Sequence, residues 1–277
     1  AGLAGLPLRE AAGAAAKEVN IGVLYPTSGS QARFGQMCVN AIKMAVDDIN
    51  NAGGIKSLGG AKINAIYADI QSDPGVTRNQ AERLMATGNL AAGTGCYVST
   101  YTLVATEVAE RYKIPFVTGS VADKITERGF KYVFRPNNKA IYDASEQLEA
   151  IATLTKETGK GPKSIGILVE GTDWGKSHAA NLLIQAEEKK YEIVFDEAYS
   201  PGTVDFSAQI LKIKSRKPEA LVLAMYTPDH IVFTKQSYEG RLDILYGIHS
   251  VGAGSEDPNF YKAVPVQAIE YMFVQED

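Results

Sequence analysis

Apolar positions along the chain fall into two alternating kinds of segment. From Val19 the run VNIGVLYP is apolar over the length of a strand and ends in the turn-forming group Pro26, Thr27, Ser28 and Gly29. Residues 34–51 follow, with Met37, Ala41, Met44, Ala45 and Ile49 at helical spacing, and Gly53 and Gly54 stop the helix. The same alternation predicts strands at AKINAIYADI, LAAGTGC and IPFVTGS, with helices over 74–87 and 100–112. After YVFRPNN a second series opens with a long helix over 140–157. It continues with strands SIGILVEG, EIVFDEAY, ALVLAMY, ILYGIHS and IEYMFVQ, separated by helices over 175–190, 206–215, 231–240 and 259–263.

Continuous apolar strands separated by helices are the mark of parallel sheets covered on both faces, because right-handed crossovers place the helices there. The fold expected is therefore α/β, with two doubly wound lobes, and 277 residues suffice for two. The junctions fall near Asn137 and Tyr271. Lobe one occupies 19–137 and lobe two begins at 138. Residues 1–18, rich in Ala and Gly and without a strand pattern, read as a flexible arm, the trimmed remainder of an export region, or a cloning scar.

Composition narrows the function classes. The net charge of −4 comes from interspersed acids and bases, without the basic stripe that a phosphate backbone requires, so nucleic acid is not an expected partner. No apolar run reaches the ~20 residues of a membrane-spanning helix, and no direct membrane insertion is expected. His178, His230 and His249 lack ligand spacing and no Cys pair has zinc-site spacing, so neither metal nor cofactor is implied. Cys38 and Cys96 are expected at one end of lobe one, as a disulfide pair or as free thiols.

In such sheets a ligand sits beyond the carboxyl ends of the strands. The loops there carry hydroxyls and rings: CYVST, GSVAD, EGTDWGKS, YTPDH and IHSVG. Gly175-Lys176-Ser177 lacks the upstream glycine of a phosphate loop, and neither GxGxxG nor GxSxG occurs at a strand-to-helix turn. Glu170, Asp173 and Asp229 would serve as an acid/base set or, more plainly, as caps and dipole partners. Ser99 reads first as an N-cap, and the same geometry would offer its hydroxyl to a carboxylate. Trp174, Tyr226 and Phe34 are each either a ligand lid or a ring covering a domain edge.

As a set these loops resemble the branched-chain amino-acid-binding branch of the type I periplasmic binding proteins, the solute receptors of ATP-driven (ABC) importers. The likeness runs through IGVLYPTSGSQARFGQ, AVDDINNAGGI, YADIQSDP, CYVST, VAERYKIPFVTGS, ITERGFKYVFR and TDWGKS. It implies a ligand-binding receptor, not an enzyme, located in the periplasm or otherwise outside the cytoplasm, with a small-molecule solute and a membrane permease as partners. Residue by residue, it puts Ser99 at the hydroxyl receiving the solute carboxylate, with Thr100 beside it. Ser120 falls at a position offering backbone carbonyl and amide. Phe34, Trp174 and Tyr226 match the aromatic walls. Ala122 stands where a threonine is usual, and His249 where an acid holds the solute ammonium, which favours an aromatic or aliphatic acid or an amide over an ordinary amino acid. Family members return to lobe one after lobe two. Here lobe two is expected over 138–268 with a crossover back toward lobe one over 269–277, and the C-terminal part of lobe one is expected to be absent from this sequence, by truncation of the gene product or because the sequence is part of a longer one. The rival readings are a ligand-sensing receptor domain and a hydrolase or transferase on a doubly wound fold.

Overall fold

The computed structural model describes residues 18–252, 254 and 257–275. Glu18–Tyr25 (β1) becomes an inner strand because its apolar half, Val23 and Leu24 above all, is wholly buried. It pairs in parallel with Lys62–Asp69 (β2) on one side and Ala92–Gly95 (β3) on the other. Phe116–Val117 (β4) and Val133–Phe134 (β5) extend the sheet to the order β2-β1-β3-β4-β5. Its helices are Ala32–Asn51 (α1), Pro74–Thr87 (α2), Ser99–Tyr112 (α3) and the single turn Lys124–Glu127 (α4). Helix α2 starts where Pro74 fits the first turn and Asp73 accepts from the Val76 amide at 2.8 Å.

Ala140–Thr158 (α5) carries the chain into the second lobe. There Ser164–Glu170 (β6), Glu192–Tyr199 (β7), Ala220–Ala224 (β8), Ile248–Val251 (β9) and Met272–Gln275 (β10) form a parallel sheet in the order β10-β9-β8-β6-β7. Asp173–Glu188 (α6), Ser207–Arg216 (α7), Thr227–Glu239 (α8) and Pro258–Ala263 (α9) connect these strands. Every residue of β8 is buried, as expected of a central strand covered on both faces. Each lobe thus has the doubly wound parallel form that the alternation of periods predicts, with five strands in each sheet.

Four departures have local causes. Glu18, placed in the N-terminal arm, is the first residue of β1, where it stands in register with Lys62; residues 1–17 lie outside the described residues. YVFRPNN contributes an edge strand, β5, which was not anticipated. ILYGIHS yields only its second half as strand, since Gly247 at φ +79° turns the chain just before β9. The segment 269–277, drawn as a crossover toward lobe one, supplies β10, the edge strand of the second sheet, in register with β9. The disulfide considered for Cys38 and Cys96 is not formed. Both are free thiols, Cys96 in the main core and Cys38 in a separate cluster with Val23, Tyr25 and Val39.

Candidate functional site

Between the lobes, at the carboxyl ends of β3, β4, β6, β8 and β9, lies a cavity of about 110 Å³. Lobe one supplies Tyr97, Ser99 and the segment Gly119, Ser120, Val121; lobe two supplies Asp143, Trp174, Tyr226, Val251 and Gly252. Ligand sites of open α/β sheets lie at this end because strand-to-helix loops converge there with helix N-termini.

Ser99 is buried and opens α3, but it is not the N-cap: Val98 holds that position, and the helix has no side-chain cap. The Ala122 amide donates to Ser99 Oγ at 3.2 Å, which leaves the hydroxyl proton available for donation. Ala122 therefore acts through its amide and does not itself line the cavity. Ser120 lines the wall, yet its groups are largely engaged within the protein. Its hydroxyl donates to the Tyr97 carbonyl at 2.8 Å and lies 2.6 Å from Thr102 Oγ1, its amide donates to Thr118 Oγ1, and its carbonyl accepts from Arg135.

The aromatic wall differs in part from expectation. Trp174 and Tyr226 line it and pack at 5.0 Å between ring centroids. Phe34 stands behind, stacked at 5.0 Å and 7° on Tyr97, which takes the wall position. Tyr97 lies 6.1 Å from Tyr226, so rings from both lobes meet. The Trp174 indole Nε1 is buried without a hydrogen-bond partner among the described residues. The side of the ring that meets the pocket residue Gly252 is its six-membered edge, so Trp174 faces the site as an apolar wall.

Two side chains proposed for solute contact do other work. Thr100 donates to Asp173 Oδ2 at 2.6 Å across the lobes. His249, the second residue of β9, is buried: Nε2 lies 3.1 Å from the Tyr246 carbonyl and the ring stacks on Phe273 at 4.7 Å. Its expected place facing the cleft is corrected. Residue 249 lies early in β9, against α5 and β10, whereas Val251, at the strand's end, and Gly252, just past it, reach the cavity. His249 instead borders a larger apolar cavity of about 470 Å³ between α5 and the β10 edge. That cavity is lined by the second lobe alone, so lobe closure has no grip on it.

The acids singled out as an acid/base set are structural. Glu170 accepts from the amides of Thr172 and Gly175, both at 2.7 Å, and ties the end of β6 to the start of α6. Burial raises its pKa against the pull of those bonds. Asp229 holds the Gly202 amide, and Asp173 holds Thr100. The GKS triplet makes no phosphate cradle, since the Gly175 amide is committed to Glu170, Lys176 is exposed and Ser177 donates to Asp123 at 2.8 Å.

The lobes are joined around the cavity by Thr100–Asp173, by Asp123 with Ser177 and Asn181, and by a bidentate pair. In that pair Arg33 Nε and Nη2 meet Asp257 Oδ2 and Oδ1 at 2.7 and 2.8 Å. Burial works to raise the Asp257 pKa, but hydrogen bonds from Arg33 and the Asn259 amide outweigh it and hold the carboxyl below its ordinary range. Arg33 is half exposed, so solvent screening limits the pair to about 1 kcal/mol. Arg33→Gln is expected to shift the open–closed balance about fivefold toward open. Small-angle scattering would show this as a larger radius of gyration, and an unchanged profile would show that the pair does not hold the lobes.

Two parallel α/β lobes closed on a small pocket with a serine hydroxyl and aromatic rings at the strand ends have the architecture of the two-lobed binding proteins. The chain belongs to the periplasmic binding protein family, whose model matches residues 18–274. It is 32% identical over 249 residues to Leu/Ile/Val-binding protein homolog 8 of Brucella abortus (strain 2308), an alignment covering 88% of this chain and 61% of that protein. The chain therefore spans about three-fifths of the length of this curated relative. Its fold is similar to that of the branched-chain amino acid transporter substrate binding protein LivJ of Streptococcus pneumoniae, solved with isoleucine. The TM-score is 0.78 at 22% identity, over 93% of this chain and 70% of that one. It is also similar to an ABC transporter solute binding protein of R. palustris solved with 4-hydroxybenzoate, with TM-score 0.74 at 21% identity, over 88% and 65% of the two chains. The family is one of periplasmic solute-binding proteins, not of enzymes. Among the described residues no helix is long and apolar enough to cross a membrane.

Tyr97 and Asp143 line the site but were not singled out from the sequence. Tyr97 sits inside the CYVST motif with φ +73°, and its place directly after a strand was the available signal. Asp143 lies in a helix whose surroundings no sequence pattern discloses.

Proposed function

We propose that the chain is the solute receptor of an ATP-driven importer, capturing a small carboxylate-bearing solute between its lobes and presenting the closed form to a membrane permease. The observation that carries this reading is the interlobe pocket itself, with a Ser99 hydroxyl able to donate into a space walled by Tyr97, Trp174 and Tyr226. A hydroxyl donor fits a carboxylate, and the rings fit an apolar or aromatic body. Closure excludes water and strengthens each polar contact, and the closed shape is the state a permease can distinguish.

The likeness to receptors solved with isoleucine and with 4-hydroxybenzoate selects these two solutes as first probes. In calorimetry at least one should bind to the wild-type chain. Ser99→Ala should weaken it by about tenfold or more, the effect of losing a hydrogen bond to a charged group. Trp174→Ala, which removes a ring from the wall, should weaken it several-fold without unfolding the protein. Failure of both solutes, and of a wider panel of carboxylates, to bind or to raise the melting temperature would overturn the proposal.

A further inference from the structure

Asp143 is wholly buried and is the one formally charged side chain lining the interlobe cavity among the described residues. The rest of the wall consists of serine hydroxyls, aromatic rings, glycine backbone and valine. A carboxylate in such surroundings loses hydration, so its anionic form needs support from fixed charge. Two sources are present. Asp143 stands in the first turn of α5, where the helix dipole favours an anion. The guanidinium of Arg135 is within electrostatic range and is fixed by its bonds to the Ser120 and Ala122 carbonyls. A helix dipole alone does not account for the placement, because a first-turn acid gains that interaction equally well at the surface.

Resting on the reading of this cavity as the solute pocket, we propose that Asp143 determines specificity: it receives a hydrogen-bond-donating group of the solute and turns away solutes that would present only apolar surface or a second carboxylate there. The Ser99 donor then faces the solute's acceptor end, and Asp143 faces its donor end. A cationic donor gains most, because it meets the carboxylate in a pocket of low dielectric. An ammonium and a phenolic hydroxyl are the two sources of this chemistry among small acids. Each is lost from a closely shaped partner, L-leucine from 4-methylpentanoate and 4-hydroxybenzoate from benzoate.

Calorimetry on the full chain with these four compounds tests the inference. In at least one pair the donor-bearing member should bind at least tenfold tighter, and the pair that shows it identifies the source. Asp143→Asn should bring that ratio to within about threefold, while Asp143→Glu, which keeps the charge, should retain part of it. Equal or tighter binding of the donor-free member to the wild-type chain overturns the inference without recourse to any variant, as does a ratio unchanged in a folded Asp143→Asn protein. Binding of none of the four overturns this inference for both donor classes, while the receptor reading falls only if the wider carboxylate panel fails as well.

Discussion

Lowering the pH from 7 to 4.5 is expected to remove several kcal/mol of folding stability, before most surface carboxylates titrate. His178, His230 and His249 are all buried, and burial lowers each pKa from 6.5 to about 4. Between these values the unfolded chain binds protons that the folded chain refuses. Stability therefore rises with pH across this window and is lost as pH falls through it. At pH 4.5 each histidine accounts for up to about 3 kcal/mol. Glu170 and Asp229 act in the opposite sense, since burial raises their pKa values and the folded state takes up their protons first. The net loss remains a large share of the ~5–15 kcal/mol typical of a domain. Urea unfolding at pH 7, 6 and 5 should show a falling midpoint at constant slope. His249→Phe, which preserves a ring against Phe273, should flatten the dependence by about one proton. Identical midpoints at pH 7 and 5 would show that these rings are protonated in the folded state.

The second large effect is expected at Gly175. A Cβ built there would lie 1.9 Å from the Glu170 carbonyl oxygen, a backbone atom with no freedom to withdraw. An alanine must therefore lift the start of α6 away from the end of β6, breaking the bond from the Gly175 amide to Glu170. The neighbouring Trp174 forms the pocket wall and Asp173 bonds Thr100 across the lobes, so the same movement disorganises the site. Gly175→Ala is expected to destabilise the fold by about 3 kcal/mol, at the upper end of overpacking effects, and to abolish solute binding. Gly119→Ala serves as the comparison. That glycine also borders the cavity, but a Cβ there meets nothing within 4 Å, and its stability change should stay within about 0.5 kcal/mol. Equal thermal stability of the two variants would show that the α6–β6 junction tolerates a side chain.

Both predictions depend on features that sequence reading reaches unequally. The glycine of TDWGKS was visible as part of a motif, but the 1.9 Å approach that requires it was not, because it is set by how α6 docks on β6. The three histidines were visible as unlikely metal ligands, and their common burial followed only from packing.

What the sequence determined by itself was the architecture: a switch between strand-length apolar runs and helical spacing, repeated through two series, specifies two parallel sheets because period and crossover handedness are local properties. It also placed Ser99, Ser120, Trp174 and Tyr226 at strand ends, where they line the cavity. The tertiary structure alone decided the rest. It used the Ala122 amide to orient Ser99, set Phe34 behind Tyr97, committed Thr100 to an interlobe bond and brought Asp143 to the pocket from the crossover helix. His249 shows the reason most directly. Moving from residue 249 to the end of β9 at Val251 and on to Gly252 changes the neighbours from Phe273 to the cleft, and which of them reaches the cavity depends on register and docking between segments far apart in the chain.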